Sequence, residues 1–389
     1  MHSGRIVFAQ LMDFLPRQEF HACVQRHRGH WHMKRFSCLD QFLCMAFAQL
    51  AGRTSLRDIE ACLRAMGPKL YHAGFRARVA RATLASANER RDARIWADFA
   101  RCVIAHARRL YADEDFGVEL NHAAYVLDAT LIRLCLSLFP WARYRKRVGA
   151  IKMHALMDLK GSIPCVIRVT HGKVSDVSML DTLLIEPGAF YVMDRGYVDF
   201  RRLYRLTESA AFFVVRAKSN FKYARRSYRR VDKSFGLRSD QDVVLRDPNT
   251  APKYPAPLRR ITYTDVETRQ RFVFLTNHFE LAPLTIADLY HARWRVEIFF
   301  KWIKQNLRIK AFFGTSHNAV TTQLWIAITV YVLIAIVKKE LNIDRKLSEI
   351  LQILSISLFH QTSLHTMLAT TIPPNPKNQR HNQLQLFDF

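Results

Sequence analysis

Tyr290-His291-Ala292-Arg293-Trp294-Arg295-Val296-Glu297-Ile298-Phe299-Phe300-Lys301-Trp302-Ile303-Lys304 is the stretch whose reading decides the fold. The spacing predicts one helical segment from Thr285 to Ile309. At about 100° per residue, Tyr290, Arg293, Glu297 and Lys304 fall within an arc of about 60°. Ala292, Val296, Phe299, Phe300 and Ile303 cluster roughly 110° away, as an amphipathic helix buried on one side requires. A lone carboxylate is thus held between two cations and a phenol, with Lys301 on the same stripe. A solvated ion-pair face would scatter both signs more evenly.

Working outward, two further carboxylates each end a short apolar run: Asp128 in Tyr125-Val126-Leu127-Asp128-Ala129-Thr130, and Asp194 in Phe190-Tyr191-Val192-Met193-Asp194-Arg195-Gly196-Tyr197. Taken singly, a strand-end aspartate is ordinarily turn or cap chemistry. Two of them with a helical glutamate flanked by cations are what a two-metal phosphodiester site needs.

On these residues the chain resembles the DDE transposases of the bacterial insertion-sequence-4 type. That family carries a Tyr-x2-Arg-x3-Glu-x6-Lys signature, which positions 290, 293, 297 and 304 match without a gap. Asp128-Ala129-Thr130, Lys152-Met153-His154 leading to Asp158, and Asp194-Arg195-Gly196-Tyr197 agree with it. The resemblance runs from about Val126 to Leu341, with Phe36 to Glu60 similar to the family's helical region before the core. It implies an α/β fold: a ribonuclease-H-like mixed sheet, a helical N-terminal domain, and a β-rich insertion before the catalytic glutamate helix. It also implies a site in which Asp128, Asp194 and Glu297 hold two Mg²⁺ ions, with Mn²⁺ substituting. Asp128 is assigned as the shared ligand, Asp194 to one ion and Glu297 to the other. Mg²⁺ takes few carboxylates and fills its octahedron with water and substrate oxygens. Tyr290, Arg293 and Lys304 would face the scissile strand; alternatively Arg293 and Lys304 merely pair with Glu297. Asp158 reads as turn chemistry and Asp176 as the cap of a following helix.

Composition bounds the partners. Lys and Arg number 59 against 33 Asp and Glu, a formal net charge of +26 in 389 residues. Such an excess attracts polyanions, nucleic acid first, and says nothing about fold. The 7 cysteines are scattered without a Cys-x2-Cys pair, which fits a reducing cytosol rather than a zinc site or a disulfide framework. Residues 1–20 mix charges through their apolar positions and do not read as a signal peptide. The apolar run Leu324 to Val337 is shorter than the about 20 residues of a bilayer span, so it reads as a core helix. A cytoplasmic bacterial protein that sits on the nucleoid when DNA-bound, with no membrane partner, is the expectation.

The pattern divides the chain into a helical, DNA-binding N-terminal domain (1–115), a ribonuclease-H-like core (120–219 and 271–345), a β-rich insertion (220–270), a helical segment (346–372) and a polar, proline-bearing tail (373–389). In the first, Leu39 to Leu50, the break Ala51-Gly52-Arg53, and a helix capped by Thr54 or Ser55 read as a helix-turn-helix DNA reader or a plain helical hairpin. Arg76, Arg78, Arg81, Arg90, Arg91 and Arg94 suit phosphate contact. In the core, strands at Tyr125–Ala129, Ile151–Asp158, Pro164–Thr170, before Asp194 and at Ala211–Arg216 alternate with helices at Val177–Ile185 and Phe200–Thr207.

Three further stretches suggest partners. Arg216, Lys218, Lys222, Arg225, Arg226, Arg229 and Arg230 form a basic run without an acid, interleaved with Phe221, Tyr223 and Tyr228, which suits a DNA strand. Arg143, Arg145, Lys146, Arg147 and Lys152 form a second basic cluster. Gln383, Leu384, Leu386 and Phe387 resemble the short peptide by which bacterial DNA-processing proteins dock on the replicative sliding clamp. The resulting expectation is a transposase that binds its element's terminal inverted repeats, cuts, and joins the ends to target DNA as a homodimer. The alternatives are a metal-dependent nuclease on the same core without strand transfer, or a catalytically silent basic DNA-binding protein. An assay for joined DNA ends separates them.

Overall fold

The computed structural model describes residues 5–31, 35–76, 78–120, 122–220, 222–306 and 312–369. The Gln383–Phe387 motif and Phe221 lie outside them. Among the described residues seven helices come first: α1 (Val7–Met12), α2 (Arg17–Arg26), α3 (Cys38–Leu50), α4 (Leu56–Ala65), α5 (Gly67–Leu70), α6 (Arg81–Arg90) and α7 (Arg94–Leu110). Ser37 opens α3 with a capping box, its hydroxyl accepting from the Asp40 N–H and Asp40 accepting from the Ser37 N–H. Ser55 caps α4 by accepting from the Asp58 N–H. All but one residue of α3 is buried, so of this helical pair it is α4 that shows solvent an exposed face, with Arg57, Ala61 and Arg64.

The strands are β1 (Ala124–Leu134), β2 (Arg143–Arg145), β3 (Val148–Asp158), β4 (Ile163–His171), β5 (Phe190–Met193), β6 (Phe212–Arg216), β7 (Tyr223–Arg229), β8 (Leu237–Leu245), β9 (Leu258–Thr264) and β10 (Arg271–Thr276). Antiparallel β4, β3 and β1 are followed by β5 and β6, each parallel to its neighbour, in the order β4-β3-β1-β5-β6. This is the ribonuclease-H-like mixed sheet the sequence leads one to expect. The stretch 220–270 is β-rich, and its strands extend that same sheet: β10 pairs β6 and carries β9, β8 and β7 outward in turn. Arg259 on β9, with a side chain 2% exposed, forks onto the equally buried Asp240 of β8 and donates to the Leu281 and His278 carbonyls.

Two cores sandwich the sheet. On one face Val126, Ile132, Met153 and Val192 pack under the N-terminal helices together with α9 (Pro283–His291), α10 (Trp294–Asn306), α11 (His317–Glu340), α12 (Leu347–Ser357) and α13 (Leu364–Ala369). On the other, Tyr125, Leu127, Tyr191 and Met193 meet α8 (Phe200–Glu208) and two short 3₁₀ segments, Asp176–Thr182 and Arg195–Tyr197. The first of these replaces the α-helix expected at Val177–Ile185.

Helix α11 corrects the length argument made from sequence. It has 24 residues, long and apolar enough to cross a bilayer, yet 94% of its most apolar window is buried inside the protein against α7, α3 and α6. Burial against those helices, not shortness, makes it a core helix.

Candidate active site

The position of the aspartates follows from register. The parallel pairs of β1 and β5 end at Leu127↔Met193, so the next residues on the two strands, Asp128 and Asp194, stand side by side where that pairing stops. Leu127 and Met193 point into one core while Val126 and Val192 point into the other; by strand alternation Asp128 and Asp194 face the side on which α10 lies. Asp128 does not end its strand: β1 continues to Leu134 along β3, and only the pairing with β5 stops there. Asp194 caps the 3₁₀ turn Arg195–Tyr197, its Oδ1 accepting from the Gly196 N–H at 2.8 Å.

The segment expected as one helix is two. Helix α9 stops at His291, Ala292 and Arg293 form a turn, and α10 resumes at Trp294. Across the junction the bonds shorten to three-residue steps, Arg293 N–H to Tyr290 C=O, Arg295 to Ala292 and Val296 to Arg293. The change of twist removes Tyr290 from the stripe. Its ring is 8% exposed and lies 4.9 Å from Phe274 and 5.9 Å from Phe272, so it backs the site instead of facing a strand of substrate. It still lies under the Arg293 guanidinium, 5.7 Å away.

Asp128, Asp194, Arg293, Glu297, Lys301 and Lys304 line one open cleft of about 660 Å³. Arg293 occupies its middle, donating from Nη1 to Asp128 Oδ2 at 2.9 Å and from Nη2 to Glu297 Oε1 at 2.5 Å. Burial pushes the Asp128 carboxyl up to about 6, with the neighbouring Asp194 and Glu297 charges adding to it against the Ala129 N–H and Arg293. Lys304 is held below its ordinary value by burial and by the charge of Arg133. A guanidinium bridging two carboxylates marks a cation position, and an all-oxygen donor set suits a hard divalent ion. Among the described residues no three carboxylate, imidazole or thiolate groups converge on one ion.

The other expected contacts are redistributed. For the seven cations of the 216–230 run, β8 and the loop after it supply the acids that the segment itself lacks. Arg229 pairs with Asp242 at 2.7 Å and with Asp240, and Lys222 lies 3.7 Å from Asp247. Lys218 donates to the Val198 carbonyl, and Arg216 covers Phe272. Arg225, Arg226 and Arg230 are exposed, the first two on edge strand β7, where cations also deter pairing with another chain. Lys152 does not belong to the second basic cluster: it is 9% exposed and 2.7 Å from Asp176. Asp176 is thus an ion-pair partner, and Ser175 takes the cap position assigned to it. Asp158 accepts from the Lys160 N–H, as turn chemistry requires, and meets Arg108. Arg91 turns inward to the Phe36 and Ser37 carbonyls and Gln41.

Sequence reasoning missed the polar layer beneath the aspartates: Lys152, His154, Asp176 and Tyr197. Lys152 and His154 sit two apart on β3, and that alternation was the available signal. A cleft of about 1070 Å³ lies away from the carboxylates, between α2 and α6, and Arg28, Trp31, Arg35 and Arg90 are among its lining residues.

With this geometry in view, residues 120–333 match the family described as the transposase DDE domain, and residues 3–76 match a domain of unknown function, DUF4372. The chain is 32% identical over 258 residues to a putative transposase, y4zB, of Sinorhizobium fredii, covering 66% of this chain and 72% of that one. It is 31% identical over 210 residues to the probable transposase for insertion sequence element IS5377 of Geobacillus stearothermophilus, spanning 54% of this chain and 55% of that one. A piggyBac transposase synaptic complex with hairpin DNA is a loose likeness, with a TM-score of 0.46 and 12% identity over 91% of this chain and 78% of that one.

Proposed function

Since the chain belongs to the DDE transposases of bacterial insertion sequences, we propose that it binds the terminal inverted repeats of its element, cuts them, and joins the freed 3′ ends to target DNA, acting in the cytoplasm as a homodimer on paired ends. The observation that carries this reading is the placing of Asp128 and Asp194 side by side where β1 and β5 stop pairing, in one cleft with Glu297 of α10 and edged with lysines. Asp128, Asp194 and Glu297 would hold two Mg²⁺ or Mn²⁺ ions, which when bound activate the attacking oxygen and stabilise the leaving 3′ oxygen. Arg293, once it leaves the carboxylates, can fork onto a phosphate, and Tyr290 beneath it limits where it swings. Lys301 and Lys304 act as point charges along the same cleft. The N-terminal helices, with Arg57 and Arg64 exposed on α4, are the proposed reader of the repeat.

The test is Mg²⁺-dependent cleavage of a DNA end carrying the element's own terminal repeat, comparing wild type with Glu297→Gln. Loss of a ligand to a catalytic metal removes several kcal/mol of transition-state stabilisation, so cleavage falls by about 10³-fold or more while DNA binding persists. Equal cleavage by both proteins would falsify the assignment. Cleaved ends that never appear joined to target DNA identify a nuclease instead.

A further inference from the structure

The polar layer on the sheet face opposite Glu297 has no part in the chemistry above. Lys152 pairs in register with Leu131 and Thr170, and His154 with Ala129 and Arg168, so both lie on the face that Asp128 does not. They are 9% and 1% exposed. A lysine buried in mid-sheet is costly unless its charge is met. It is met twice: Lys152 Nζ lies 2.7 Å from Asp176 Oδ1 and donates to the Val174 carbonyl at 2.6 Å. Asp176 opens the 3₁₀ segment Asp176–Thr182, which packs on the 3₁₀ turn Arg195–Tyr197. That turn is the one Asp194 caps. Its Tyr197 is 1% exposed, with a phenol oxygen that has no hydrogen-bond partner among the described residues, and it feels the charges of Asp128, Asp176 and Asp194 together. A continuous path of contacts therefore runs from a fixed ammonium in the middle strand, through Asp176, to the turn that aims Asp194.

We propose that Lys152 and Asp176 are positioning residues whose ion pair braces the Asp194 turn and thereby sets how tightly the site takes its divalent ions. The proposal rests on the reading of Asp194 as a metal ligand. Groups that orient ligands from behind typically govern metal affinity by about 10- to 100-fold. Three variants separate bracing from plain stability: Asp176→Asn, Lys152→Met, and the two combined, which removes both charges. The readouts are Mn²⁺ binding by isothermal titration, the Mg²⁺ midpoint for end cleavage, and thermal unfolding.

The expected result is that each single variant weakens Mn²⁺ binding by about tenfold or more and raises the Mg²⁺ midpoint in step. In the double variant unfolding returns toward the wild-type temperature from that of Asp176→Asn, since no buried ammonium is left without its counter-charge, while the metal defect stays. A double variant that regains both stability and metal affinity overturns the proposal, because the pair is then merely structural. Wild-type metal affinity in Asp176→Asn overturns it as well. Wild-type protein that neither binds Mn²⁺ nor cleaves with Mg²⁺ overturns the metal site itself, and the brace with it.

Discussion

Arg293 supplies the positive charge that two carboxylates of the cleft require. Its guanidinium is 12% exposed and neutralises Asp128 and Glu297 at once. In the proposed reaction, divalent ions would displace it and leave the arginine free to take a phosphate. Arg293→Gln leaves Asp128 and Glu297 without their shared counter-charge, so we expect the protein in chelator to lose about 2 kcal/mol, discounted from the fully buried case for partial exposure. Adding Mn²⁺ restores part of that loss, and denaturant unfolding with and without the ion measures it. An Arg293→Gln protein as stable as wild type in chelator would show that the bridge contributes nothing.

Two residues on opposite faces of the sheet give pH dependence of opposite sign. Asp128 is pushed up to about 6 by burial, so between about 4 and 6 the folded protein holds its proton more tightly than the unfolded chain, and stability falls as pH rises. Burial holds His154 at about 4, so the unfolded chain takes the proton first below about 6.5, and stability falls as pH falls. Each effect is at most about 3 kcal/mol. In chelator, Asp128→Asn gains on wild type at pH 7 relative to pH 4.5, and His154→Gln gains at pH 4.5 relative to pH 7. Matching slopes for both variants would sink this account.

At the scale of elements, the Arg259–Asp240 fork ties β8 and β9 to the Leu281 carbonyl just before α9, the helix that carries Tyr290. Asp240→Asn leaves a buried guanidinium without its counter-charge, and we expect a loss of about 3–5 kcal/mol in chemical denaturation. A loss under 1 kcal/mol would show that the carbonyls suffice. Most elements were legible in the sequence. The apolar runs Ile151–Asp158 and Pro164–Thr170 announce β3 and β4, and Thr54 or Ser55 announces the cap of α4. The aspartate pair was legible too, because each follows an apolar run. The break after His291 was not: Ala292 and Arg293 are good helix formers, and only the docking of Tyr290 on Phe272 and Phe274 shows why the chain leaves the helical stripe. Lys152–Asp176 was equally hidden, since a basic cluster in sequence does not tell which member turns inward.

At the scale of the molecule, the net charge of +26 spreads over the N-terminal helices, β7 and the carboxylate cleft. Arg229, Lys152 and Arg91 are spent on internal pairs and carbonyls, so fewer cations reach DNA than composition suggests. Binding to a repeat-bearing duplex should still weaken by about 10³-fold or more between 50 and 200 mM salt, as for a protein that covers about six or more phosphates. Fluorescence anisotropy across that range measures it, and a tenfold or smaller change would mean that only a few cations engage. The sheet has a molecular consequence as well. Because β10 joins 220–270 to β6 without interruption, disturbance at the outer edge has a hydrogen-bonded path back to β5 and its aspartate.

Helix α11 is apolar enough for a bilayer, yet it lies within the protein against α3, α6 and α7. All three precede it in the chain. On the ribosome, therefore, most of the wrapping is made before the cargo: when His317 leaves the exit tunnel, α3, α6 and α7 have already been translated, while α12, which also packs on the helix, comes later. Reversing that order would present the targeting machinery with a segment it is built to capture.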